Sequence, residues 1–98
     1  MAYAIFKINK ENENVINEIK KDDVISRQSI WNRDSASLGV EGDFIFLKIE
    51  GEKEAIEKAK EVLREKADLL EGKESEEINK KFMADEEKAS EGMGFIFG

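Results

Sequence analysis

Ser35 to Asp43 reads SASLGVEGD and leads directly into Phe44 to Glu50, FIFLKIE. Gly39 and Gly42 punctuate the first stretch as a turn, while the second has the aromatic and β-branched content of a strand. Together they predict a hairpin whose second arm is residues 44–50. Its first arm is Val24 to Arg33, VISRQSIWNR, where Val, Ile and Trp favour a strand despite imperfect alternation. Hairpin arms are antiparallel, so any third strand must enter the sheet beside this pair.

Working outward, Tyr3 to Ile8 sets Ala4, Phe6 and Ile8 against Tyr3, Ile5 and Lys7, a period of two that predicts a strand. Asn9 and Asn12 are candidate caps for a short helix with Val15, Ile16 and Ile19 on one side and Lys20 and Lys21 at its end. Beyond Gly51, the stripe Ile56, Ala59, Leu63, Ala67 and Leu70 predicts a helix closed by Gly72. Ser75 then caps a second helix through Ile78, Phe82 and Ala89, stopped by Gly92. Met93 to Gly98, MGFIFG, is too apolar for a free tail and is expected as an edge strand or as a segment docked on apolar surface. The order β-α-β-β-α-α, with a short C-terminal strand, predicts an α+β fold: a ferredoxin-like split βαβ plait, with the helices on one face of an antiparallel sheet. Ninety-eight residues make one such domain, residues 1–98.

Composition excludes whole classes of chemistry. The chain has no His and no Cys, so the commonest general base, thiol nucleophile and soft metal ligands are missing. Asp22-Asp23, Glu74-Glu76-Glu77 and Asp85-Glu86-Glu87 lack the spacing of a calcium loop and read as solvated surface, so neither a metal nor a cofactor is expected. Sixteen basic against 23 acidic side chains give a net charge of −7, which repels polyanions and anionic membranes. Nucleic acid is therefore not an expected partner. The apolar start MAYAIFKI meets Lys7 and Lys10 too soon for a signal peptide, and no run suits a bilayer, so a cytoplasmic protein is expected. The Lys/Glu-rich composition with no Thr also suits a thermophile, as a leaning of composition alone.

If Ala4, Phe6 and Ile8 join Ile45, Leu47 and Ile49 beneath the helices, the opposite sheet face carries Tyr3, Ile5, Lys7, Phe44, Phe46 and Lys48. Such a face must meet another subunit, a ligand or the chain's own Phe95 and Phe97. On the second strand, Arg27, Ser29, Trp31 and Arg33 alternate onto one side and gather two of the three arginines around the only tryptophan. Arginine beside an aromatic plane holds a carboxylate, a phosphate or a stacked base. It equally serves an interface, with the arginines paired to Asp34, Glu41 or Asp43 across the hairpin.

The order of elements and the run Phe44-Ile45-Phe46-Leu47-Lys48-Ile49 resemble the RNA-recognition motif family, whose third strand presents two aromatics for base stacking; Tyr3 to Asn9 is loosely similar to that family's first-strand motif. The resemblance implies a single-stranded RNA binder. Glu41 and Asp43 depart from it where a basic residue and a glycine-aromatic context are expected, as do the second helix after the third strand and the net charge. ACT-like regulatory domains share the topology, but the loop Asn9-Lys10-Glu11-Asn12 lacks their glycine-bearing turn.

The expectation is a non-catalytic binding or regulatory module, assembled as a homo-oligomer through the aromatic sheet face. Its contact candidates are Tyr3, Arg27, Trp31, Arg33, Phe44, Phe46, Phe95 and Phe97, and its further partners a protein or a small anionic ligand. The alternatives are RNA binding by the face aromatics and an acid-base enzyme using Asp34 and Arg33.

Overall fold

The computed structural model describes the backbone of residues 2–97 and the side chains of residues 2–86. Strand β1 spans Ala2–Asn9 and is followed, after one 3-10 turn, by helix α1, Asn14–Lys21. Strands β2, Ser29–Asp34, and β3, Phe44–Gly51, form the hairpin. Helix α2, Lys53–Val62, leads to the two-residue strand β4, Asp68–Leu69, and the long helix α3, Gly72–Phe97, follows. The four strands make one open antiparallel sheet in the order β2-β3-β1-β4. The fold is α+β, with three helices packed on that sheet. Among the described residues, no helix is long and apolar enough to cross a membrane.

Period-two alternation divides the core into two layers. Ala4, Phe6 and Ile8 of β1 and Ile45, Leu47 and Ile49 of β3 face α1 and α2, where they meet Ile16, Ile19, Ile56 and Leu63 in the larger cluster. On the other face, Ile5, Phe46, Leu38 and Leu70 meet Ile78 and Phe82 of α3. The expectation of helices on one face holds for α1 and α2 and fails for α3. The physical reason is apolar surface: Ile5 and Phe46 fall to 0% and 2% exposure because Ile78 and Phe82, one helical turn apart, cover them.

The other corrections are local. The helix predicted through Leu70 ends at Val62, because Ala67 and Leu70, though in phase with Ile56 and Leu63, lie in a turn and just beyond β4. β4 pairs Leu69 with Phe6 and Asp68 with Lys7, and Leu70 N–H donates to the Ile5 carbonyl at 2.9 Å. Gly72 does adopt the left-handed conformation, φ +60°, but at the start of α3 rather than the end of α2. Neither Asn9 nor Asn12 caps a helix with its side chain. The predicted C-terminal strand is not formed: α3 runs through Gly92 to Phe97. A glycine weakens a helix by only about 1 kcal/mol relative to alanine and need not end it.

β2 begins at Ser29, not Val24, because Asp22 pulls the preceding residues into a 3-10 turn. Its Oδ1 accepts the Ile25 N–H at 3.0 Å and the Val24 N–H at 2.9 Å, and Lys58 Nζ lies 3.1 Å from Oδ2. The Ile25 bond foremost, with Lys58 and Val24 adding to it against partial burial, holds the carboxyl below its usual range. A depressed carboxylate stabilises the fold fully above its unfolded pKa of about 4, and that contribution fades as pH falls through the lower folded value. Asp22→Asn is therefore expected to flatten the acid side of a stability-against-pH curve. A variant whose acid limb matches the parent between about pH 5 and pH 2 would refute this role.

Candidate functional site

The strand register places side chains of the α3-side face in rows. Tyr3, Glu50 and Ser29 form the first; Ile5, Lys48 and Trp31 the second; Lys7, Phe46 and Arg33 the third; Asn9 and Phe44 the fourth. Helix α3 packs over the middle of these rows. It seats on Ile5 and Phe46 through Ile78 and Phe82, then reaches β2, where Arg33 Nε donates to Asp85 Oδ2 at 2.9 Å. Two corners of the face flank this path, one around Tyr3, Lys48 and Trp31 and the other around Lys7 and Phe44.

The first corner holds the unusual group. Lys48 is only 6% exposed, and its Nζ lies 5.1 Å from the Trp31 ring centroid and 5.7 Å from that of Tyr3. Among the described residues, no carboxylate stands within 4 Å of it. Each ring face attracts an ammonium by about 0.5–2 kcal/mol, less than the several kcal/mol that withdrawing a cation from water costs. Tyr3 is 37% exposed and Trp31 half-buried, so both rings keep free surface beside the lysine. Glu50, in the adjoining row, bounds the corner with negative charge.

At the second corner Lys7 Nζ sits 4.0 Å from the Phe44 centroid. The Phe44 ring also lies against Gly42, where a Cβ would come within 2.5 Å of it and φ is +110°; glycine is required there. Buried Ser35 fixes the start of the strand, donating to the Gly42 carbonyl at 2.8 Å and accepting the Phe44 N–H at 3.2 Å. Asp68, opposite Lys7 on β4, bounds this corner.

Of the residues singled out from sequence, Tyr3 and Trp31 both lie beside Lys48. Arg33 shares their face but pairs with Asp85 of α3 rather than with Asp34, Glu41 or Asp43. Phe44 is half-buried and Phe46 is 2% exposed, a core residue beneath α3 with no surface to offer a partner. Arg27 lies in the 3-10 turn before β2, exposed, with Asp23 at 3.7 Å, and so is separated from the tryptophan row. The side chains of Phe95 and Phe97 lie outside the described residues. Sequence reasoning placed Lys48 on the right face but missed its burial, and it missed Asp85, which sits in an acidic run that reads as solvated surface.

No protein-family model, curated protein or solved structure matches the chain.

Proposed function

We propose that the protein is a small non-catalytic binding module that takes an anionic group joined to a flat ring at the Tyr3–Lys48–Trp31 corner. The observation that carries this reading is Lys48, a largely buried residue whose ammonium is met by two ring faces and by no described carboxylate. An anion placed there supplies the missing counter-charge in a low-dielectric setting, and the free ring surface of Trp31 or Tyr3 stacks the attached plane. A chain without His or Cys suits recognition better than acid-base or thiol chemistry. The scaffold is read as a ferredoxin-like split βαβ plait: β1–α1–β2 and β3–α2–β4 each step across a strand of the other unit, with α3 added on the second face.

Uridine monophosphate is a suitable probe, having one ring and one phosphate. In calorimetric titration, Lys48→Met is expected to stay folded and to weaken binding at least tenfold, since one charge-assisted contact contributes about 1.5–3 kcal/mol. Glu50→Gln should strengthen binding a few-fold by removing a nearby like charge. Unchanged affinity in folded Lys48→Met would reject the reading.

Self-association is the second reading, favoured by the position of Trp31 on β2, an outer strand of the sheet. The register directs Ile30, Asn32 and Asp34 backbone groups outward from the sheet, and Arg33 Nη1 already donates to the Asn32 carbonyl at 2.8 Å. A dimer by sedimentation equilibrium that dissociates in Trp31→Ala would put a second copy, rather than an anion, at this corner.

A further inference from the structure

Strand β2 is an outer strand of the sheet, and its free side carries none of the devices that keep such an edge from pairing. Ser29–Asp34 contains no Lys and no Pro, and its register with β3 runs unbroken through every residue, without a bulge. The opposite edge is different. β4 is two residues long and soon gives way to α3, so among the described strands only β2 is open along its whole length.

The phase of that open ladder is fixed. Ser35 N–H donates to the Phe44 carbonyl at 2.8 Å, and the same register turns the backbone groups of Arg33, Trp31 and Ser29 toward β3. Ile30, Asn32 and Asp34 therefore send their N–H and carbonyl groups away from the sheet. Among the described residues, the hydrogen bond that reaches this side is Arg33 Nη1 to the Asn32 carbonyl at 2.8 Å, and that oxygen keeps a second lone pair.

A second β2 fits these groups. With a twofold axis through Asn32, Asn32 stands against its own copy and Ile30 against Asp34, and every outward N–H and carbonyl of these residues gains a partner. On the α3-side face the same pairing sets Trp31 opposite Arg33 on each side of the axis, an indole against a guanidinium. The neighbouring registers are poorer. Moving the axis to Arg33 opposes two guanidinium groups, and moving it to Trp31 carries the Asp34 backbone past the end of the other strand.

We propose that a second copy of this chain docks edge to edge on β2, antiparallel and centred on Asn32, so that two four-stranded sheets become one continuous sheet. This rests on the self-association reading, moves its contact from the Trp31 ring to the β2 backbone, and is independent of what Lys48 binds. A pair joined in this way has no free β2 edge left, so assembly stops at the dimer.

Sedimentation equilibrium on the full chain and its variants tests the pairing, with far-ultraviolet ellipticity as the check that each variant is folded. The parent should be a dimer. Asn32→Pro removes the outward N–H at the axis and spares the bonds to β3, since proline is compatible with the open side of an edge strand; it should be a folded monomer. Asn32→Asp opposes two carboxylates and should weaken dimerisation about fivefold, less as salt is raised. An equal mixture of Asn32→Asp and Asn32→Lys should recover the parent's affinity, because the axis then joins opposite charges. Trp31→Ala leaves the backbone ladder in place and should keep a measurable dimer. A parent that sediments as a monomer would overturn the proposal together with the self-association reading. A dimer indifferent to Asn32→Pro and Asn32→Asp would overturn the proposal alone, and its dissociation in Trp31→Ala would return the contact to the ring. Failure of the mixed pair to recover would rule out the register centred on Asn32. If Asn32→Pro does not fold, Asn32→Asp and the mixed pair decide.

Discussion

Phe46→Lys is expected to release α3 from the sheet. Phe46 is 2% exposed, at the centre of the smaller cluster, with Ile5 on the same face and Ile78 and Phe82 above it. Substitution removes a large buried ring and drives an ammonium into the space, a loss on the order of 3–5 kcal/mol from the two effects together. The larger cluster on the other face keeps its contacts, so the loss should be confined to α3 at first. Trp31 emission should move to longer wavelength and the amides of Ile78 and Phe82 should exchange faster, while Ile19 and Ile56 stay protected. Phe44→Lys is the internal control: its ring is half-buried at the edge of the face, and the change should cost about 1 kcal/mol or less. Equal stability of Phe46→Lys and the parent protein would mean that α3 is not seated on this ring in solution.

Phe6→Ala acts on the opposite face of the same strands and should have a different character. Phe6 is 1% exposed on β1, which lies between β3 and β4, and pairs with Leu47 on one side and Leu69 on the other. Truncation leaves a cavity under α1 and α2, and phenylalanine-to-alanine changes in cores cost about 3–5 kcal/mol. Set against a total of roughly 5–15 kcal/mol for a domain of this size, that removes much of the stability at once. The unfolding midpoint in urea should drop for every probe together, far-ultraviolet ellipticity and Trp31 emission alike, because the layer that closes both crossover helices is the one being hollowed. A drop seen by only one probe would show that the two layers unfold independently even when the larger core is damaged.

The difference between these two outcomes reflects how the chain was legible. Period-two alternation along Tyr3 to Ile8 and Phe44 to Glu50 assigns Phe6 to one face and Phe46 to the other without any structure. The hairpin from Ser35 to Phe44 was likewise readable, because Gly39 and Gly42 are needed at positive φ, +71° and +110°, and only local backbone chemistry sets that requirement. β4 was not readable. Two residues give no period to detect, and Ala67 and Leu70 continued by coincidence the stripe of α2.

The amino-acid sequence alone determined the β1, β3 and α1 assignments, the antiparallel hairpin, and the aromatic and cationic content of the second sheet face, since each follows from short-range periodicity or turn chemistry. Tertiary structure alone decided what covers that face. Ile78, Phe82 and Asp85 form an amphipathic pattern that any apolar sheet would satisfy, and nothing local to α3 states which of two faces it will choose. That choice buried Phe46, paired Arg33 across the helix and left the Lys48 ammonium between two rings at one corner. Burial and pairing of this kind depend on residues dozens of positions apart meeting in space, and periodicity within one segment does not encode those meetings.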